Sequence, residues 1–303
     1  MRTTAPVPGV LVIGQIARDL VLQVEDWPSA GGSAPVLERR EMLGGKGANQ
    51  AVALHQLGAP VLLVGVAGTD AAGTAVLDQA HADGLDVTAV TRRGETALLV
   101  DVVDRDGTRR LMEHVPVESL LTAQDVHEAA IAFDRADTVC LQLQQPAPAL
   151  LAGARMARAR GQRVILDGAI DSPARDELLA AADVVRMDAA EAQLMTDIAP
   201  QDRDAARQAA QQVLDAGVRL VAVTVPEEGD LVVWAEGEHL VPHGTAHVVD
   251  PTGAGDAFLA GLTIGLRRGD SPQEAARRAG AAATATVQRL GGRPDLGAQR
   301  PAE

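Results

Sequence analysis

The sequence predicts a single α/β domain, residues 1–303, built on a mostly parallel β-sheet with helices on both faces. Short apolar, β-branched runs alternate with Ala-rich segments of helical spacing, which is the pattern of strand–helix–strand units. The chain has 303 residues and is 47% hydrophobic, enough to build a large buried core. No internal repeat or low-complexity tract interrupts this rhythm.

The individual elements follow from the two periodicities. Buried strands are predicted at Val10–Ile13, Val61–Val66, Thr138–Leu143, Arg163–Leu166 and Leu220–Thr224. Helices are predicted at Lys46–Leu57, Thr74–Ala82, Ala147–Arg160, Ala205–Ala216, Ala254–Leu266 and Pro272–Leu290.

Two stretches, approximately residues 19–40 and 96–114, break the alternation. Leu20–Val24 and Ala34–Arg40 have strand character with no helix between them. Ala97–Val103 and Thr108–Glu113 resemble a hairpin whose turn contains an Asp-Gly pair. Together they predict a small second sheet that projects over a cleft as a lid. The pattern is equally compatible with hairpins at the edge of the main sheet.

Composition excludes several classes of partner. The net charge of −14 opposes binding to DNA or RNA, and aromatic residues, which would stack on bases, are only 1% of the chain. No apolar run is long enough to span a bilayer, so no membrane association is expected. The single cysteine, Cys140, lies in an apolar run, which favours a buried core residue and a reducing, cytoplasmic location.

The most informative segment is Val248–Phe258, where Asp-Pro-Thr is followed by Gly-Ala-Gly and then Asp256 at the start of a helix. Small residues let backbone amides at a helix N terminus approach an anion closely, and the helix dipole favours a phosphate there. A carboxylate in the first turn can accept the proton of an attacking hydroxyl. The alternative is that Asp256 only complements the dipole and the glycines only turn the chain.

A second segment, Gly44–Gln50, opens the helix predicted to end at Leu57. Lys46 and Asn49 share one helical face, which suits recognition of hydroxyl groups. A P-loop is excluded because it would need Gly in place of Arg40 and Ser or Thr in place of Gly47. Residues 14–17 likewise lack the glycines of a dinucleotide-binding fingerprint.

These two segments, in this order, resemble the two signatures of the PfkB carbohydrate kinase family, and the first of them along the chain resembles ribokinase. The resemblance extends from Val10 to about Pro294. It implies a ribokinase-like, doubly wound sheet with a β-sheet lid that covers the sugar and forms a homodimer interface. It implies ATP-dependent phosphorylation of a hydroxyl, expected to be primary, on a small sugar such as ribose or a related pentose or hexose. The implied cofactors are ATP, Mg²⁺ and K⁺.

The resemblance also implies roles for matching residues. Asp256 is implied as the general base, and the amides of Gly253, Ala254 and Gly255 as an anion hole. The implied sugar-binding residues are Asp19, Gly45, Lys46, Asn49, Gln144 and Asp256. The implied ATP contacts are Asp188, Thr224, Gly229, Gly253 and Gly255, with residues 281–284 along the adenine. Glu191 is implied to organise Mg²⁺ indirectly. The implied monovalent-cation residues are Asp250, Thr252, Val287 and Gly292.

Five positions depart from the ribokinase pattern. Ala17 stands where a sugar-binding Asn is usual, and Gln144 where a Glu is usual. Asp167–Ala169 replaces Asn-Pro-Ala, and Asp188 replaces Asn. Pro226 replaces the first Gly of the nucleotide loop, where it removes a backbone donor. None of these departures falls in the segment from Gly253 to Asp256. They change residues in the implied sugar-binding and nucleotide-binding pockets.

Three alternatives stay open at this stage. A nucleoside kinase of the same superfamily is disfavoured by the two Phe and two Trp, because nucleosides prefer an aromatic wall. A sugar-phosphate kinase would need extra basic residues, for which Arg18 and Arg40 are candidates. A sugar-binding regulator without turnover is suggested by Pro226 and Gln144 and opposed by the intact string from Gly253 to Asp256.

Overall fold

The computed structural model describes residues 8–297, so both ends of the predicted domain lie outside the described residues. The strands are β1 Gly9–Ile13, β2 Ala17–Val24, β3 Val36–Gly44, β4 Val61–Val64, β5 Val66–Ala67, β6 Thr91–Arg92, β7 Ala97–Val103, β8 Arg109–His114, β9 Ala136–Gln142, β10 Arg163–Asp167, β11 Val184–Met187, β12 Leu220–Val225, β13 Gly229–Trp234 and β14 Gly237–Pro242. The helices are α1 Lys46–Gln56, α2 Ala71–Ala82, α3 Ala123–Glu128, α4 Ala130–Phe133, α5 Ala147–Ala159, α6 Arg175–Ala181, α7 Ala189–Thr196, α8 Arg203–Asp215, α9 Ala254–Arg268 and α10 Pro272–Thr286.

The main sheet has eight strands in the order β14-β13-β12-β11-β10-β9-β1-β4. The strands from β4 to β12 pair in parallel, and β13 and β14 continue the sheet as antiparallel neighbours. Alternate residues of β1 face two different cores. Leu11 and Ile13 pack in the core under α3–α8, and Val10 and Val12 in the core under α1, α2, α9 and α10. The sheet is therefore covered on both faces, as predicted.

The four strands of the two irregular stretches form a separate sheet in the order β3-β2-β7-β8. This pairing favours the projecting sheet over edge hairpins of the main sheet. In its register Asp19 lies beside Leu99, and Val21 beside Asp101. Because side chains alternate across a strand, Asp19 and Asp101 lie on the same face of this sheet. We call it the lid sheet.

Two helix boundaries differ from the sequence prediction by three or more residues. Helix α2 begins at Ala71, three residues early, because the Asp70 side chain accepts a hydrogen bond from the Gly73 amide and caps the helix. Helix α10 ends at Thr286, where Leu290 was predicted. The Val287 carbonyl that follows it accepts hydrogen bonds from the amides of Val249 and Asp250, a tertiary contact that local propensity does not contain. Within residues 8–297, no helix is both long and apolar enough to cross a bilayer.

Candidate active site

One cavity of about 740 Å³ lies between the lid sheet and the carboxyl ends of the parallel strands. Gln15 follows β1, Gln144 follows β9 and Thr224 is near the end of β12, and all three line the cavity. This edge is where open α/β sheets bind their ligands. The start of α9 and the end of α10 close the opposite wall.

Two glycines at the start of α9 leave no room for a side chain unless neighbouring atoms move. Gly253 has φ 75°, and a Cβ added there would lie 2.0 Å from the carbonyl oxygen of Gly292. A Cβ at Gly255 would lie 2.5 Å from the Arg186 guanidinium. No side chain among the described residues caps this helix, and the Ala254 amide donates only a long hydrogen bond (3.4 Å) to the Pro251 carbonyl, so the first amides can turn to a ligand on the cavity side. These amides form a site suited to an anion.

Asp256 follows these glycines in the first turn of α9 and is only 6% exposed. Its Oδ2 accepts a hydrogen bond from Asn49 Nδ2 (3.3 Å), and its Oδ1 from Gln50 Nε2 (3.1 Å). Burial raises the pKa of Asp256, while the charge of Lys46 opposes that rise. The carboxylate is therefore held in a fixed orientation by two residues of α1 and is a stronger base than an exposed Asp.

A network of buried charges extends from Asp256 across the floor of the cavity. Gln50 Nε2 also donates to Asp167 Oδ2 (2.8 Å), and Arg186 Nη1 lies 3.4 Å from Asp167 Oδ1. Lys46 Nζ donates to Glu191 Oε1 at 2.6 Å. Burial raises the pKa of Asp167 despite the nearby Arg186 and Lys46. Burial alone would lower the pKa of Lys46. The negative charges of Asp167 and Glu191 outweigh the effect of burial, so the pKa of Lys46 is raised.

Asp188 and Glu191 form a capping box at the start of α7. Glu191 Oε2 accepts from the Asp188 amide (2.7 Å), and Asp188 Oδ1 accepts from the Glu191 amide (2.8 Å). Both oxygens of Glu191 are thus engaged, one by the Asp188 amide and one by Lys46, so this residue fits an indirect role towards Mg²⁺. Asp188 itself lines the cavity. The charges of Arg186 and Lys46 lower the pKa of Glu191 against the effect of burial.

Under the lid sheet the cavity wall is acidic. Asp19 is 2% exposed, and its Oδ1 has no hydrogen-bond partner in the part of the chain that the structure describes. Burial, followed by the charge of Asp101, raises the pKa of Asp19 to about 8. A Cβ at Gly44 would lie 1.8 Å from the Asp19 carboxyl carbon, so this glycine makes room for the carboxylate. The free Oδ1 can hydrogen-bond a ligand hydroxyl, as an acceptor when Asp19 is ionised and as part of a carboxylic acid when it is protonated.

Asp101 and Arg109 form an ion pair that faces the same compartment. Burial raises the pKa of Asp101, and the hydrogen bond from Arg109 opposes that rise. Glu113 adds a further carboxylate, and Leu99 and Leu111 supply apolar surface. Sequence reasoning missed Asp101 and Arg109 because only strand register places them beside Asp19.

The opposite end of the cavity lies between β12 and α10. Thr224 Oγ1 donates to Asp230 Oδ1 (2.7 Å), and both residues line the cavity with Ala283 and Thr284. Gly229 does not line the cavity. Its φ is 144°, and a Cβ there would lie 2.0 Å from the Val241 carbonyl oxygen. Glycine is therefore needed at this position for steric reasons.

The four residues assigned to a monovalent cation lie together beside the anion site. Asp250 is fully buried; its Oδ1 accepts from the Thr252 amide (2.9 Å) and hydroxyl (2.6 Å), and its Oδ2 from the Gly291 amide (2.8 Å). The carbonyls of Val287 and Gly292 lie in the adjoining turns. A carboxylate among backbone carbonyls fits a K⁺-like ion, which prefers oxygen ligands.

Most of the predicted site residues therefore converge on one cavity. Its lining includes Asp19, Gly45, Lys46, Asn49, Gln144, Asp188, Thr224, Thr252, Gly253, Ala254, Gly255, Asp256 and Val287. Glu191, Gly229, Asp250 and Gly292 lie behind this lining. Sequence reasoning also missed Gln50 and Arg186. The only signal for Arg186 was a charged residue inside an apolar run.

The sequence model of the pfkB family carbohydrate kinases matches residues 8–298, nearly the whole chain. The chain belongs to this family. The kinase is 27% identical to ribokinase of Haemophilus influenzae, with 94% of each chain covered. It is 31% identical to the ATP-dependent ribose-1-phosphate kinase of Halopiger xanaduensis, covering 94% of this chain and 93% of that protein.

Among solved structures, the kinase is similar to Arabidopsis thaliana ribokinase complexed with ribose and ATP. The TM-score is 0.79 at 27% identity, and the match covers 95% of this chain and 96% of the other. The ribokinase-like fold and the classification as an ATP-dependent carbohydrate kinase, both expected from the two sequence signatures, are confirmed. The α9 anion site and the buried Asp256 agree with that activity.

Proposed function

We propose that this kinase transfers the γ-phosphoryl group of ATP to a primary hydroxyl of a small, uncharged pentose or hexose in the cytoplasm. The observation that carries the proposal is the position of Asp256, a buried carboxylate next to the first amides of α9 in the cavity. Sugar hydroxyls approach from the lid side, against Asp19, Lys46 and Asn49. The nucleotide lies along Asp188, Thr224 and α10.

In this mechanism Asp256 accepts the proton of the attacking hydroxyl as its oxygen bonds to the γ-phosphorus. The bond from that phosphorus to the bridging oxygen of ADP breaks, and the amides of residues 253–255 hold the charge on the transferring group. Mg²⁺ would neutralise part of the phosphate charge; Asp188, which lines the cavity, would help to hold it, and Glu191 would act indirectly through Asp188. The lid sheet excludes water, which protects ATP from hydrolysis.

The charge of the lid compartment supports an uncharged sugar. Asp19, Asp101 and Glu113 face it with Arg109, and Arg109 is already paired with Asp101. A phosphorylated sugar would meet the negative charge of Glu113 there, whereas burial raises the pKa of Asp19 to about 8, so Asp19 is fully charged only above that pH. A sugar-phosphate kinase is the second candidate, since Arg109 is a possible phosphate ligand and the Halopiger relative is named for ribose 1-phosphate. The earlier candidates Arg18 and Arg40 do not line the cavity.

A substrate panel tests the proposal. The purified protein is given ATP and Mg²⁺ with pentoses, hexoses, their phosphates and nucleosides, and ADP release is measured. We expect an uncharged sugar to give the highest kcat/KM. Preference for a sugar phosphate or a nucleoside would contradict the proposed substrate class. Sugar binding without ADP release would identify a regulator.

Two further proposals concern assembly and cations. The outer face of the lid sheet carries the exposed Met112 and Leu37, which supports a homodimer through this sheet. Light scattering should then give twice the 31.4 kDa chain mass.

The geometry around Asp250 supports activation by K⁺. Equal rates in KCl and in tetramethylammonium chloride would contradict that activation.

Replacement of Asp19 by Asn is expected to change how stability depends on pH. Because the pKa of Asp19 is raised from 3.8 to about 8 in the folded state, its contribution to stability is full below 3.8 and is lost as pH rises through about 8. In the free protein, Asp19→Asn should therefore increase the free energy of unfolding by about 1–3 kcal/mol above that pH, with little effect in acid. Thermal unfolding across this range measures the difference.

The same variant separates stability from sugar recognition. Loss of a carboxylate acceptor should raise the KM for the sugar by about tenfold or more. An unchanged KM, or a stability difference independent of pH, would exclude the buried carboxylate role of Asp19.

A further inference from the structure

Arg186 lies near the end of β11, is 8% exposed and lines the cavity. A Cβ built on Gly255 would lie 2.5 Å from the Arg186 guanidinium, so the guanidinium lies close to the backbone of Gly255. The guanidinium is therefore next to the α9 amides that form the anion site. No feature of the PfkB-like signatures pointed to this residue.

The side chain is only loosely neutralised by its neighbours. Arg186 Nη1 donates a long hydrogen bond to Asp167 Oδ1 (3.4 Å) and is 3.7 Å from Glu191 Oε2, and its buried Nε has no hydrogen-bond partner among residues 8–297. Lys46 differs, because its ammonium group is held by Glu191 at 2.6 Å. Both cations line the cavity, and the buried Nε of Arg186 leaves part of its planar donor fork unused among the described residues.

A guanidinium in this position suits the chemistry of phosphoryl transfer. Negative charge is spread over the three equatorial oxygens of the transferring group, and catalysis consists mainly of positioning and of stabilising that charge. The planar fork of Arg can donate two hydrogen bonds to such oxygens, and burial strengthens them.

We propose that Arg186 is a catalytic residue whose guanidinium binds the phosphoryl group in transit, together with the amides at the start of α9. The inference rests on the proposed kinase function. As the sugar oxygen bonds to phosphorus and the bond to ADP breaks, Asp256 takes the proton and Arg186 keeps all of its own. Its guanidinium shifts from the hydrogen bond to Asp167 and the ion pair with Glu191 towards the phosphoryl oxygens.

Steady-state kinetics of Arg186→Met and Arg186→Lys test this role. Arg186→Met should lower kcat by about 10²–10³ and change the KM for the sugar less than about threefold, because the interaction is made in the transition state. Arg186→Lys should retain an intermediate kcat, since it keeps the charge and loses the fork. Added guanidinium ion should partly restore the activity of Arg186→Ala.

Thermal unfolding distinguishes this role from a structural one. Arg186→Met leaves Asp167 buried without its cation, so the double variant Arg186→Met/Asp167→Asn is measured in parallel, with the surface variant Arg219→Met as a control. The proposal requires low kcat in both Arg186→Met variants when they are folded. A kcat within about threefold of wild type, or a change in KM alone, would overturn it. A wild-type protein that phosphorylates nothing in the substrate panel would instead refute the proposed function.

Discussion

Replacement of Asp256 by Asn is expected to lower kcat by about 10²–10⁴, the range typical for loss of a general base. The carboxylate is buried, lies next to the anion site and is oriented by Asn49 and Gln50. An amide of the same shape cannot accept the proton of the sugar hydroxyl. Because Asn49 and Gln50 both donate to it, the new NH₂ group must face one of these donors, and a neighbouring amide has to rotate.

Three measurements separate chemistry from folding and binding in this variant. Thermal unfolding reports the fold, calorimetry reports sugar and ATP affinity, and single-turnover experiments report phosphoryl transfer. We expect binding within about tenfold of wild type alongside the large loss of rate. Turnover within about threefold of wild type would remove Asp256 from the mechanism.

Replacement of Gly253 by Ala is expected to lower kcat by about 10²–10³, comparable to the loss of an anion-hole donor. The added Cβ would meet the Gly292 carbonyl oxygen at 2.0 Å, and φ 75° is itself strained for alanine. Relief of the clash must move the start of α9 or the turn at Gly292. Either movement misplaces the amides on which the transferring group depends.

Gly269 provides a matched control at the other end of the same helix. Its φ is 82°, but a Cβ there would have no atom within 4 Å. Gly269→Ala should therefore cost about 1–2 kcal/mol in stability through backbone strain and leave kcat unchanged. Equal kcat values for the two variants would show that the Gly253 contact does not govern the reaction.

The amino-acid sequence by itself was sufficient for the fold class, the main strands and helices, and two segments that line the cavity. These features have local signals: apolar spacing, an Asp-Gly turn and two glycine-rich helix starts. The early start of α2 also has a local cause, because the Asp70 side chain caps the helix, whereas the early end of α10 depends on a tertiary contact of Val287. The short β11 and the edge strands β13 and β14 were missed because few residues carry their pattern.

Only the tertiary structure decided which polar side chains share the cavity. The contact between Gln50 and Asp256 joins residues 206 positions apart, and Asp101 reaches the sugar side only through the register of β2 and β7. Arg186 stands in a strand whose other residues are buried and apolar, so its role depends on the approach of Gly255 from α9. Local patterns record the neighbours of a residue along the chain, whereas charge pairing and steric fit depend on neighbours in space.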